Sequence, residues 1–296
     1  MLEVDTLDAL DLSLWFEGSA EAAESSGCSA STTSRRLHQA LACFQLTLRR
    51  GSEGWALLGD RTLIGMQRTV HQCHRLMGAR PLRLHLPLWS RSRLEAEPPP
   101  GWLLNPCHQL LKGDPLQLLR DRVIDACVVT PTQLANHAAA GLHCFELYTS
   151  PIELHGLSLD REQPLPARAS FDDLIGCAPL EPPAFLPLSC RLASFDRHLQ
   201  LLEGRQPCSS GSGVGPWRLC YLTPEMAMLL PGASPLAGLS LEWTYREQLV
   251  VLATHREHPR LLALVEQLRQ GLAVGVGVGG HEKASPAGGR RNGAWG

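Results

Sequence analysis

Lysine is almost absent from this chain: Lys112 and Lys283 are the only two, so arginine carries nearly all of the positive charge. Close cysteine pairs are absent too. Ten cysteines are present, but the nearest in sequence are Cys208 and Cys220, so no Cys-x-x-Cys knuckle exists. Cys73-His74, Cys107-His108 and His143-Cys144 are adjacent pairs whose side chains diverge, which argues for scattered buried thiols over a metal site. The acidic N-terminus has no signal-type apolar core, and no apolar run reaches membrane-spanning length. The expectation is a cytoplasmic protein in a reducing compartment, with no membrane partner.

The motifs of common catalysts are missing as well. There is no Gly-x-Ser-x-Gly elbow, no Gly-Lys-Ser phosphate loop and no His-Glu-x-x-His pair. Gly211–Gly215 does not spell Gly-x-Gly-x-x-Gly, and Pro207-Cys208-Ser209-Ser210 before it is no strand. Asp172-Asp173 reads either as a carboxylate dyad or as a solvated loop. The reading is a protein that is not an enzyme and needs neither cofactor nor metal.

What the chain does have is a charge asymmetry hidden inside a net charge of −2. Residues 1–28 hold Glu3, Asp5, Asp8, Asp11, Glu17, Glu21 and Glu24 with no basic residue. Residues 29–80 hold Arg35, Arg36, Arg49, Arg50, Arg61, Arg68, Arg75 and Arg80 against Glu53 and Asp60. That distribution predicts a local positive field over the middle of the N-terminal region.

The stretch from Gly18 to Arg50 has the pattern of a helix-turn-helix. Leu7, Leu10 and Leu14, closed by Trp15 and Phe16, first give an amphipathic helix. A helix from Ser19 to Ser25 then presents only Ala22 and Ala23 at its contact face, which lets a second helix approach closely. Gly27 supplies the turn and Ser29 caps a helix running to about Cys43. Ser31, Thr32, Thr33, Ser34, Arg35 and Arg36 lie at the end that would enter a major groove. Leu37, Leu41 and Phe44 form its inward stripe. Leu46–Arg50 and Trp55–Leu58 flank Gly51-Ser52-Glu53-Gly54 as the strands of a hairpin.

These residues resemble the DNA-binding end of LysR-type transcriptional regulators. That pattern is Ser, Ala-Ala, a short turn, then Ser-x-x-x-x-Ser-Arg and an apolar residue. Ser19, Ala22-Ala23, Ser29 and Ser34-Arg35-Arg36-Leu37 fill those places. Thr47 stands where Phe is usual, Leu57-Leu58-Gly59 replaces a Leu-Thr corner, and Ser26 replaces a packed Leu. The resemblance extends more weakly to about residue 272. It implies a winged helix-turn-helix over residues 1–59, with Ser29, Ser31, Thr32, Thr33, Ser34, Arg35, Arg36, Arg49 and Arg50 toward double-stranded DNA.

From Arg61 to Met77, apolar Leu63, Met66, Val70, Cys73 and Met77 recur at spacings of three and four. This seam could pack on the body of a monomer or pair with a second copy. The resemblance implies pairing, through a dimerising linker helix over 60–79 that Gly78 and Pro81 end.

The remainder has α/β order. Leu82, Leu84, Leu86 and Leu88 alternate as a strand, Pro115 to about Arg122 is helical, and Val123–Val129 is a second strand. Leu142–Leu154 reads as an extended crossing, Leu249–Thr254 as its return, and Pro259–Leu272 as a final helix. Phe171–Leu174 resembles the start of a second lobe, and Leu222-Thr223-Pro224-Glu225 a later segment of it. The resemblance implies a two-lobed, periplasmic-binding-protein-like effector domain over 80–272, its second lobe at about 155–245. A Gly-rich tail, expected to be disordered, covers 273–296.

The loops expected at the cleft carry Ser90, Arg91 and Ser92, then Thr130 and Thr132. Hydroxyls with an arginine suit a small anionic effector, while the same run also suits a plain polar loop. Two functions follow: a dimeric or tetrameric DNA-binding regulator modulated by a small effector, or a ligand-binding or scaffold protein with a degenerate helix-turn-helix.

Overall fold

In the computed structural model, the described residues are 3–51, 54–95, 97–106, 113–135, 140–158, 180–181, 217–228, 232–236 and 244–273. Phe171–Leu174, Gly211–Gly215, the wing tip at Ser52 and Glu53, and the tail beyond Ala273 lie outside them.

Three helices open the chain: α1 (Val4–Phe16), α2 (Ser19–Ser25) and α3 (Ala30–Cys43). Gly27 between α2 and α3 has φ +64°, the left-handed turn that glycine adopts without strain. Ser29 caps α3, its hydroxyl accepting from the Thr32 backbone N–H. Ala22 and Ala23 are both buried, as close helix contact requires. Ser26 turns its hydroxyl back onto the carbonyls of Ala22 and Ala23, which a leucine could not do. A hairpin follows, β1 (Thr47–Gly51) and β2 (Gly54–Leu58), antiparallel with Arg50 opposite Trp55. Helix α4 (Thr62–Leu76) then leads toward the α/β region.

The first sheet contains β3 (Leu82–His85), β4 (Trp102–Leu104), β5 (Ala126–Val129), β6 (Leu142–Pro151) and β11 (Thr244–Leu252), in the order β4-β3-β5-β11-β6. Strands β4, β3 and β5 are parallel, and β11 runs antiparallel to both β5 and β6. Between them lie α5 (Leu88–Arg93), α6 (Pro115–Arg120) and α7 (Pro131–Ala135). The second sheet joins β7 (Glu153–Ser158), β8 (Leu180–Glu181), β9 (Trp217–Leu222) and β10 (Ala233–Pro235) in the order β10-β7-β9-β8, with α8 (Pro224–Met228) after β9. The chain passes from the first sheet to the second at Ile152, between β6 and β7, and returns through β11. A final helix, α9 (Pro259–Ala273), packs on the first sheet through Leu261, Leu264, Val265 and Leu268.

Two local expectations shift. The strand expected through Leu88 ends at His85, because Pro87 caps a helix that starts at Leu88. Ser90, Arg91 and Ser92 therefore sit on α5 and not in a loop. The strand expected from Val123 begins at Ala126, since Arg122 takes φ +57° and the backbone N–H groups of Val123 and Ile124 close the C-terminus of α6.

The largest departure concerns α1, which is buried nearly all round. Its Leu7, Leu10 and Leu14 pack with Ala40, Leu46 and Ile64 of the N-terminal unit. Its opposite side, Leu12, Trp15 and Phe16, joins Leu116, Leu119, Val129 and Val250 in a core shared with the first sheet. Helix α1 is thus a lid on the α/β sheet as well as the spine of the helix-turn-helix. This explains β3, where all four residues are buried. Leu84 shares a core with Leu261 and Leu264 of α9, while Arg83 and His85 point under α1.

Candidate nucleic-acid interface and its joint to the α/β region

The outward surface of the N-terminal unit is built from α3 and the hairpin. Ser29, Ser31 and Arg35 are exposed, and Thr32 and Ser34 are half-buried. Ser29, Ser31 and Thr32 link their hydroxyls at the N-terminus of α3, within 3.0 Å and 2.9 Å. Thr33 is turned into the core and is no part of the exposed set. Arg49 and Arg50 are exposed on β1, and the Arg50 guanidinium lies 5.8 Å from the Trp55 ring centre, a cation–π placement that orders it on the wing.

Arg36 behaves differently from Arg35. Its Nη2 donates to Asp5 Oδ2 at 3.2 Å and its Nη1 lies 3.2 Å from Cys28 Sγ. The other oxygen of Asp5 accepts from Arg80 Nη2 at 2.6 Å. One carboxylate of α1 therefore joins α3 to the segment entering β3.

Beneath this lies a buried ion network. Arg68 donates from Nε and Nη2 to Asp11 Oδ1 at 2.9 and 2.7 Å. Arg75 forks onto Asp125, at 2.8 Å to Oδ2 and 2.9 Å to Oδ1, and also donates to the Arg122 carbonyl. Arg83 reaches Asp8 Oδ1 at 2.5 Å and the Val123 carbonyl at 2.8 Å. Burial works against a charged Arg75, yet Asp125 outweighs it and holds the guanidinium above its ordinary range. Burial pushes His71, on the same helix, below the usual histidine value despite Asp8 and Asp11. The arginines that sequence reading assigned to a positive field are, for Arg36, Arg68, Arg75 and Arg80, tied to aspartates. Arg61 pairs with Asp121 at 3.4 Å. The network was not legible in sequence, because its partners lie 31 to 75 positions apart.

Helix α4 is consequently inverted. Its polar Arg68, His71, Gln72 and Arg75 face inward, with Ile64 and Leu76. Its apolar seam faces out: Leu63 is 65% exposed, Met66 64%, Val70 55% and Met77 84%, with Cys73 exposed between them.

At the crossing between the two sheets, one residue expected at an effector cleft, Ser90, meets a buried glutamate. Ser90 donates to Glu247 Oε1 at 2.5 Å, and Tyr245 donates to the same oxygen at 2.7 Å. Ser150 donates to Glu225 Oε2 at 3.0 Å. Burial alone would raise Glu225, but the hydroxyls of Tyr148, Thr223 and Ser150 and its own backbone N–H hold the carboxyl below its ordinary value. Burial and Glu225 push Tyr148 up to about 12. Arg93 lies over the Tyr148 ring at 5.5 Å. Arg91 donates from Nε to the Asn105 carbonyl at 2.8 Å, while its Nη1 is buried without a hydrogen-bond partner. Thr130 is buried at the end of β5, where its N–H and hydroxyl both donate to Gln133 Oε1, at 2.9 and 3.3 Å. Thr132 is half-buried on α7. The structure thus places Ser90 against Glu247 and leaves Arg91 and Thr130 apart from that pair. Sequence reasoning missed Glu225 and Glu247, although Glu225 lay inside a segment it singled out.

Among the described residues no group of three or more His, Cys, Asp or Glu side chains could hold a metal ion. No described helix is long and apolar enough to cross a membrane.

No family model and no curated protein matches the chain. Among solved structures, it is similar to a probable transcriptional regulator of Pseudomonas aeruginosa, at 13% identity and TM-score 0.47, over 91% of this chain and 97% of that one. It is similar to CrgA, a LysR-type transcriptional regulator of Neisseria meningitidis, at 15% identity and TM-score 0.39, over 92% and 99%. Full-length CbnR in complex with its target DNA gives 12% identity and TM-score 0.43, over 91% and 99%.

Proposed function

We propose that this chain is a LysR-type, DNA-binding transcriptional regulator that works as a dimer or a higher homo-oligomer and answers to a small effector. The observation that carries the reading is the inverted α4, placed directly after a helix-turn-helix and its wing. Soluble monomers rarely leave a continuous apolar stripe uncovered. Pairing Leu63, Met66, Val70, Cys73 and Met77 with a second copy would cover it and set two α3 helices side by side. Each α3 would offer Ser31, Thr32, Ser34 and Arg35 to a major groove, with Arg49 and Arg50 of the wing on adjacent phosphates.

The proposed domain plan is a reading unit over 1–59, a dimerising helix over 60–79 and an effector domain over 80–272. The effector site lies where β6 and β11 cross. There Ser90, Arg91 and Ser92 of α5, Thr130 at the end of β5 and Thr132 of α7 are the candidates, joined by Glu225 and Glu247. A bare carboxylate ligand would meet Glu247 at Ser90, so the effector presents hydrogen-bond donors at that end and any anionic group toward Arg91.

Gel-shift of the full chain against DNA upstream of its own coding sequence tests the proposal. Specific retardation, reduced in Arg35→Ala, supports it. Equal, weak binding to that DNA and to random DNA favours the second reading, a scaffold or ligand-binding protein with a degenerate helix-turn-helix. That reading draws on Asp5, which already occupies Arg36.

A further inference from the structure

A cavity of about 340 Å³ opens at the joint between the helix-turn-helix and the α/β region, and its wall includes Asp5, Asp8, Cys28, Arg36, Arg80 and Arg83. We propose that this cavity binds a small di- or trianion, a phosphate ester or a polycarboxylate, with Arg36 and Arg80 as the ligating groups. It is separate from the effector site at the strand crossing.

The charges around it do not cancel. Its lining carries four guanidiniums, those of Arg36, Arg75, Arg80 and Arg83, against two carboxylates, those of Asp5 and Asp8, and with Arg68, Asp11 and Asp125 of the adjoining ion network one positive charge is still left over. The excess is at the mouth. Arg68, Arg75 and Arg83 are buried and firmly held. Arg36 and Arg80 instead share one carboxylate, that of Asp5, which is 42% exposed. Ion pairs this open contribute little. The second Arg36 nitrogen lies against the Cys28 sulfur, a weak acceptor. An incoming phosphate or pair of carboxylates brings at least twice the charge of Asp5 and enough oxygens to fork onto both guanidiniums. The volume sits at the lower end of small-ligand sites, larger than a single phosphate needs.

Arg36 belongs to α3, and Arg80 to the segment that enters β3. An anion that bridges them fixes the reading helix against the α/β region and occupies a side chain that could otherwise turn to DNA. That consequence rests on the DNA-binding reading; the binding site itself does not.

Calorimetric titration of the full chain with inorganic pyrophosphate, and separately with citrate, at constant ionic strength tests the site. Saturable binding is expected for at least one of them. Pyrophosphate alone points to a phosphate ester, and citrate alone to a polycarboxylate. Arg80→Gln should weaken binding about tenfold, the loss of one charge-assisted pair. Asp5→Asn should tighten it several-fold, because the competing carboxylate is gone. Arg49→Ala, on the wing, should leave it unchanged, whereas loss of binding in Arg91→Ala would place the anion at the strand crossing and overturn the proposal. Arg80 is exposed, and an unfolding midpoint like that of the wild type would show that Arg80→Gln retains the fold. Absence of binding by either probe at millimolar concentration overturns the proposal, as does equal affinity in Arg80→Gln or an equal loss in Arg49→Ala.

Discussion

The indole Nε1–H of Trp15 donates to Nδ1 of His85 at 3.2 Å, joining α1 to β3 across 70 positions of sequence. The acceptor role of Nδ1 places the ring proton on Nε2 and requires a neutral imidazole. Burial pushes His85 down to about 4. The unfolded chain therefore binds a proton that the folded chain refuses between about pH 6.5 and 4.

Stability should fall with pH across that window. From pH 7 to 5, His85 alone accounts for a loss of about 2 kcal/mol. His71, also held low by burial, acts in the same direction. Urea unfolding at the two pH values measures the difference, and His85→Gln should shrink it. An equal pH dependence in that variant would remove His85 as the cause.

The Arg75–Asp125 pair is buried on both sides. Arg75→Ala strands Asp125 among Gln72 and the Arg83 backbone N–H, and should cost about 3–5 kcal/mol. The Arg75→Met, Asp125→Leu double variant should recover part of that loss, because no charge is left unpaired. Chemical denaturation of the three proteins reads both effects.

The two faces of α4 should respond differently. Ile64 is fully buried, so Ile64→Ala should cost about 2–5 kcal/mol of stability. Val70 is exposed in one copy, so Val70→Glu should leave the unfolding midpoint of the monomer almost unchanged and lower the mass in sedimentation velocity. A wild type that is already monomeric at micromolar concentration would refute the seam as an interface.

DNA affinity should depend on Arg35 and Arg49. Each alanine variant should weaken binding across sequences, and the salt slope should fall by about 1 for each phosphate contact removed. A double variant with unaltered affinity and slope would take both residues out of the interface.

The fragment 80–272 should not behave as an independent folded unit. Without residues 1–79 it would expose Leu116, Leu119, Val129 and Val250 and leave Asp125 without Arg75. A broad, non-cooperative thermal transition and dye binding are expected. A sharp transition would show that α1 is a dispensable cover.

The amino-acid sequence alone determined the local pieces. Alanines at 22 and 23, Gly27 and the Ser29 cap specify two close helices because each acts over a single turn of chain, by size, by φ or by one hydrogen bond. The spacing of Leu63, Met66, Val70, Cys73 and Met77 likewise marks one apolar face, since periodicity is a property of the helix itself. Tertiary structure alone decided which way those pieces face. Sequence read Arg36, Arg68 and Arg75 as a positive field because charged side chains are ordinarily solvated. Only the aspartates that α1 and the segment before β5 bring to them allow burial. The same absence of distant neighbours hid the lid role of α1 and the meeting of Ser90 with Glu247, 157 positions on. A pairing energy depends on where two groups end up in space, and nothing in the spacing along the chain encodes it.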